Sequence, residues 1–214
     1  MSSPPTPTLP HGGGRVRIGV MGGTFDPVHN GHLAVAQQAC ERFSLDRVLF
    51  IPNREPPHKK PYAVSPAEMR YEMVELAIAG RDGFEASRME LERRGPSYTI
   101  DTLRELRRTL GDEAEVFFIT GADAVTEILT WKQPREIVTL CELIAATRPG
   151  ADLGRLGKVV GPEIMAHVHQ MEWPGMNVSS TMVRERVARG LGTEDLTPPA
   201  VAAYIVEKGL YKGR

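Results

Sequence analysis

Residues 22–33 read Gly22-Gly23-Thr24-Phe25-Asp26-Pro27-Val28-His29-Asn30-Gly31-His32-Leu33, and the fold is decided there. The apolar run Val16 to Met21 ahead of this stretch predicts a buried strand, and the apolar spacing from Leu33 to Phe43 behind it predicts a helix. A strand, a glycine turn and a helix start make a phosphate site. Gly22 and Gly23 permit conformations and a close approach that a side chain would block. The unpaired amides of the helix start offer donors and partial positive charge to an anion. Thr24 and Phe25 belong to the same phosphate-binding turn. If the helix begins near Asn30, His29 and His32 lean to one side, and Gly31 between them leaves room for a ligand. No Gly-Lys-Ser/Thr follows at the required spacing, so this is not a Walker loop.

Arg47 to Ile51 is short and apolar and predicts a second parallel strand, completing a βαβ unit. Both strand ends then share the edge where open α/β sheets bind ligands. The loop Pro52 to Ser65 faces the same cleft, so His58, Lys59 and Lys60 can reach phosphate. Beyond it, Pro66 to Ala79 reads as a helix capped by Ser65, with Met69, Met73, Leu76 and Ala77 inward. Phe84 to Leu91 reads as a strand near a sheet edge. Tyr98 to Leu110 reads as a helix with Ile100, Leu103, Leu106 and Leu110 inward and Arg104, Glu105, Arg107 and Arg108 on a solvated face.

Glu115 to Thr120 predicts another central strand, which puts Asp123 at the active edge, where it can also cap a helix over Ala124 to Leu129. A short helix from Pro134 to Val138, a strand from Leu140 to Ala146 and a turn at Arg148-Pro149-Gly150 follow. His167 to Glu172 alternates like a strand with both histidines on one face, but no third ligand nearby suggests a metal site. Ser179, Ser180 and Thr181 fit a helix start that adds donors to a second phosphate site, with Arg184 one turn on. Pro198 to Lys208 ends the pattern as a helix, with Val201, Tyr204, Ile205 and Leu210 packing on the body.

The chain of 214 residues is long enough to bury one sizeable core. Its formal net charge of −1 gives no global pull toward nucleic acid. Cys40 and Cys141 lack metal spacing and read as reduced core residues. Residues 1–14, rich in proline and glycine, read as a disordered tail with neither a secretory apolar core nor a membrane span, so a cytoplasmic protein is expected. A homo-oligomer is compatible with the sequence, which singles out no joining face.

The His29-Asn30-Gly31-His32 signature resembles that of the HxGH nucleotidyltransferase superfamily, in which the two histidines meet the phosphates of a nucleoside triphosphate. The stretch NVSSTMVR, from Asn177 to Arg184, is similar to that superfamily's second signature, with Val178 where isoleucine is usual. The segment Pro56-Pro57-His58-Lys59, the helix start Ser97-Tyr98-Thr99 and the Gly121-Ala122-Asp123 triplet with Trp131 eight residues after the aspartate narrow the resemblance. They match bacterial nicotinate mononucleotide adenylyltransferases. The resemblance covers Gly19 to Tyr211 and implies an α/β fold, a Rossmann-like open parallel sheet flanked by helices, with residues 15–214 as a single nucleotidyltransferase domain. It implies ATP and nicotinate mononucleotide as substrates and magnesium brought in with ATP. His29, His32, Lys59 and Arg184 are then the catalytic candidates. Gly22, Gly23, Thr24, Phe25, Gly31 and Ser179 to Thr181 would hold ATP. His58, Thr99, Asp123, Trp131 and Lys132 would hold the mononucleotide, with the Trp131 indole stacked on its pyridine. The alternatives are a phosphopantetheine adenylyltransferase-like enzyme and a non-catalytic nucleotide-binding regulator. A dinucleotide oxidoreductase is disfavoured because the turn lacks GxGxxG spacing.

Overall fold

A computed structural model describes residues 15–56, 64–111, 113–147 and 153–212; the predicted tail, His58, Lys59, Lys60 and the turn at Arg148 to Gly150 lie outside them. Among the described residues, six strands form one parallel sheet: β1 (Arg17–Gly23), β2 (Arg47–Pro52), β3 (Phe84–Ala86), β4 (Glu115–Gly121), β5 (Glu142–Thr147) and β6 (Val168–Glu172). Their order is β3-β2-β1-β4-β5-β6. The chain therefore winds outward from β1 in one direction and then from β4 in the other, which makes the β1/β4 boundary a topological switch point.

The strands are apolar on both faces because helices cover both. On one face Val48, Phe50, Phe117 and Ile119 pack with helices α1 (Asn30–Phe43), α2 (Ala67–Ile78), α8 (Ser180–Ala188) and α9 (Pro199–Glu207). On the other, Ile18, Val20, Leu49, Phe118 and Leu143 pack with α4 (Thr99–Leu110), α5 (Ala122–Thr126), α6 (Pro134–Leu140) and α7 (Leu153–Met165). Gly19 is needed for close packing, since a Cβ there would lie 2.9 Å from carbons of Ile119, Leu45 and Val48. Among the described residues no helix is long and apolar enough to cross a membrane.

Several expectations are corrected. β1 continues through Gly22 and Gly23, because both pair in register with Ile51 and Pro52 of β2. The strand expected over Phe84 to Leu91 is an edge strand that ends at Ala86. Ser87 gives its amide to Phe50, and its hydroxyl accepts from the Met89 amide, which starts the short helix α3 (Met89–Glu92). Ser65 does not cap α2. Pro66 stands at the cap, and the buried face is turned toward Arg70, Tyr71, Met73, Val74, Ala77 and Ile78. The capping role of Asp123 also fails, because α5 starts from Gly121 and ends at Thr126, followed by a 3-10 turn at Ile128–Thr130. Arg104 and Arg107 are not simply solvated: Arg104 pairs with Glu136, and Arg107 donates to the carbonyls of Leu140 and Ala114. α7, unread from sequence, is broken at Gly161, whose φ of 81° precedes Pro162.

Candidate active site

At the switch point two cavities open side by side. One, of about 540 Å³, is lined by His29, His32, Asp123 and Trp173. The other, of about 250 Å³, is lined by Thr99, Trp131, Lys132 and Glu90. Gly22 and Thr120, at the ends of β1 and β4, border both. Ligands in the two cavities would therefore meet over the carboxyl ends of these strands.

In the larger cavity His29 occupies the N-cap of α1 in an extended conformation. Its amide donates to His32 Nδ1 at 3.2 Å, and the two rings stack with centroids 3.7 Å apart. Because Nδ1 of His32 accepts, its ring proton in the neutral form sits on Nε2, a donor available to an anion. Among the described residues, His29 Nδ1 is buried with no hydrogen-bond partner. Burial, partly offset by a backbone hydrogen bond, lowers the His29 pKa to about 4. Burial, and then the neighbouring His29, holds His32 well below its ordinary value. Two stacked imidazoles without an anion are thus kept neutral, and a polyanion is what would allow them to charge.

Gly31 does not leave space for ligand alone. A Cβ there would lie 2.9 Å from Val178 Cγ1 and 3.1 Å from His29 Nδ1, so the glycine admits both the second signature and the histidine stack. The unusual backbone of the turn also sits elsewhere than expected. Neither Gly22 nor Gly23 has a positive φ; Phe25 does, at 49°. That conformation is costly for a side-chain-bearing residue. Burial of the Phe25 ring against His32 and Phe50 opposes the cost.

The second signature docks on the first. Ser179 caps α8 by accepting from the Met182 amide, which fulfils the capping reading. The Ser180 hydroxyl donates to the Pro27 carbonyl at 2.8 Å, and Arg184 donates to the Asp26 carbonyl at 2.7 Å and to Thr181 Oγ1 at 3.1 Å. Asp26 is a junction that sequence reasoning missed although it lies inside the deciding stretch. Its carboxylate accepts from the Tyr211 hydroxyl at 2.7 Å and from the Ser65 amide at 3.2 Å. Arg70, 1 % exposed, completes the support by donating to the carbonyls of Ser65, Thr24, Asn53 and Arg54. A charged residue on a helix face reads as solvated, so only the carbonyl-rich loops packed around Arg70 reveal it.

The smaller cavity is built differently. Thr99 opens α4, and Trp131 follows the 3-10 turn with its ring edge-on to Phe118 at 5.9 Å. Lys132 Nζ lies 4.7 Å over the Tyr98 ring and 2.9 Å from Asp101. Ser97 is not the cap of α4; its hydroxyl accepts from the Arg54 amide and joins the loop after β2 to this helix start. Asp123 lines the histidine cavity, which adjoins the Trp131 cavity at Gly22 and Thr120. Trp173, unassigned from sequence, also lines the histidine cavity. Its position just ahead of the second signature was the available clue.

Fold and site together have the form of an α/β nucleotidyltransferase: two stacked, buried imidazoles on one side of the switch point and an aromatic pocket on the other. Residues 20–186 match the cytidylyltransferase-like family. A probable nicotinate-nucleotide adenylyltransferase of Moorella thermoacetica is 48 % identical over 201 residues, covering 92 % of this chain and 93 % of that protein. One from Thermus thermophilus is 47 % identical over 197 residues, covering 92 % and 100 %. The fold also matches a Plasmodium falciparum nicotinic acid mononucleotide adenylyltransferase complexed with NaAD, at a TM-score of 0.73 and 18 % identity over 92 % of this chain and 97 % of that one. The chain belongs to the cytidylyltransferase-like family and, within it, groups with the nicotinate-nucleotide adenylyltransferases.

Proposed function

We propose that this protein transfers the adenylyl group of ATP to nicotinate mononucleotide, forming nicotinate adenine dinucleotide and pyrophosphate in NAD biosynthesis, with residues 15–214 as one catalytic domain. The observation that carries this reading is the pair of cavities bordered jointly by Gly22 and Thr120. ATP fits the histidine side and the mononucleotide the Trp131 side, so their phosphates face each other at the shared border.

The reaction needs no protein nucleophile. A phosphate oxygen of the mononucleotide forms a bond to the α-phosphorus of ATP, and the bond from that phosphorus to the bridging oxygen of the leaving pyrophosphate breaks, carrying its electron pair away. Catalysis is then positioning and charge stabilisation. His32 would donate through Nε2 and His29 through a ring N–H. Arg184 and Lys59 would add cationic charge, and the amides and hydroxyls of Ser179 to Thr181 would hold phosphate with the turn at Gly22 to Phe25. Arg184 donates to the Asp26 carbonyl, so part of its guanidinium is oriented toward the turn. The Trp131 face suits a pyridine ring, and the amides near Thr99 and Lys132 suit its carboxylate, with His58 beside the mononucleotide.

Magnesium fits as a companion of ATP. Among the described residues no cluster of three histidine, cysteine or acidic side chains could hold a metal, whereas Asp123 lines the ATP-side cavity. The phosphates and water would supply most ligands, and the ion would neutralise phosphate charge.

The test is pyrophosphate release with ATP and, in turn, nicotinate mononucleotide, nicotinamide mononucleotide and phosphopantetheine. The amide NH₂ of the second acceptor would face donors, so the acid should be preferred about a hundredfold in kcat/KM if two donors are opposed. Turnover with phosphopantetheine alone, or with none of the three, would overturn the reading.

A further inference from the structure

A cavity meant for a carboxylate contains a carboxylate of its own. Glu90 is the one acid among the described residues lining the Trp131 cavity, and it is 6 % exposed. A Glu90 with open lone pairs would oppose the intended preference, because its oxygens would accept from the NH₂ of a nicotinamide. The inference rests on the acceptor reading above.

The structure shows how Glu90 is kept from doing this. Thr102, on the second turn of α4, donates its hydroxyl to Glu90 Oε1 at 2.5 Å. The same hydroxyl accepts from Arg93 Nη2 at 2.8 Å, and that nitrogen lies 3.7 Å from Glu90 Oε1. Arg93 is itself held by Glu105 at 3.1 Å. Burial raises the Glu90 pKa, while Thr102, Arg93 and Ser97 act in the opposite direction. These partners come from α4 and the segment leading into it, so the arrangement also ties α3 to the helix start that would receive the acceptor's carboxylate.

We propose that Thr102, backed by Arg93, masks Glu90 and that this masking sets the preference for the acid acceptor, in addition to the amide donors at the start of α4. Glu90 and Thr102 are positioning and specificity residues in this account and contact no reacting atom. Unmasking should act on the acceptor and spare ATP.

The experiment compares kcat/KM for nicotinate and nicotinamide mononucleotides in the wild type, Thr102→Val, Thr102→Ser, Glu90→Gln and the Glu90→Gln/Thr102→Val pair. Thr102→Val should reduce the acid-to-amide ratio about tenfold, mostly through the acceptor KM, with the KM for ATP unchanged. Thr102→Ser, which keeps the hydroxyl, should retain the wild-type ratio. Glu90→Gln should hold or raise the ratio, and the double variant should restore most of what Thr102→Val loses. An unchanged ratio in an active Thr102→Val protein overturns the proposal alone. Should Thr102→Val fail to fold, a fall of the ratio in Glu90→Gln overturns it, and a held or raised ratio with wild-type behaviour of Thr102→Ser supports it. Adenylylation of neither acceptor by the wild type overturns the functional reading and this proposal together.

Discussion

The two cavities at the switch point present polar groups of opposite kinds. On the histidine side the groups are titratable: His29 and His32 stack, burial lowers the His29 pKa to about 4, and burial holds His32 well below its ordinary value. On the Trp131 side the expected donors are backbone amides at a helix start, which keep their polarity at any pH. The sequence distance behind each side differs too. The histidine side is assembled from the deciding stretch, α2, the second signature and the chain's end, joined at Asp26 and Arg70. The Trp131 cavity also draws on several elements, but all of its lining among the described residues lies between Gly22 and Ile137, whereas the histidine side depends on contacts from the last part of the chain.

The largest effect that would sharpen this contrast is structural. Arg70→Ala leaves the carbonyls of Thr24, Ser65, Asn53 and Arg54 without their donor. Stability should fall by about 3–5 kcal/mol, read from urea unfolding. A loss within ordinary surface scatter would show that the junction does not depend on this cation.

The next concerns pH. A histidine whose folded pKa is below its unfolded value is penalised when the medium protonates it, so its contribution is intact above pH 6.5 and is lost as pH falls toward 4. The His29 shift corresponds to about 3 kcal/mol across that window. The difference between wild type and His29→Gln should therefore move against the wild type on acidification, and a bound non-hydrolysable ATP analogue should flatten it. No such difference would remove the buried neutral histidine from the account.

A slightly smaller effect is expected in catalysis. His32→Ala should lower turnover about a hundredfold, equivalent to about 2.7 kcal/mol, with the circular dichroism and melting profile of a folded protein. Near-normal turnover would take His32 out of the mechanism.

Much of this architecture was legible because its signals are local. The strand, turn and helix at Gly22 to Phe43 share one periodicity change, and the apolar runs of β2, β4 and β5 can only be buried strands. The signatures around His29, Thr99, Trp131 and Ser179 likewise sit in contiguous stretches. What was not legible depends on distant partners. Arg70 looks like a surface charge until four carbonyls surround it, and Asp26 looks like a turn residue until Tyr211 reaches it from 185 positions away. Glu90 lies in a run that alternates like a strand, and its role exists only because Thr102 faces it. Asp123 follows β4 and so reads at the ligand edge of the sheet, but which cavity it lines depends on how α5 lies against the neighbouring strands.

The chain has two tryptophans, and the fold puts one in each cavity: Trp173 on the histidine side and Trp131 on the other. Fluorescence of single-tryptophan variants therefore tests the central claim that donor and acceptor occupy opposite sides of the switch point. In Trp131→Phe, the remaining Trp173 emission should respond to a non-hydrolysable ATP analogue and little to nicotinate mononucleotide. In Trp173→Phe, the remaining Trp131 emission should respond to nicotinate mononucleotide and little to the analogue. The reverse pattern, with the analogue perturbing Trp131 and the mononucleotide perturbing Trp173, would contradict the assignment of the two cavities.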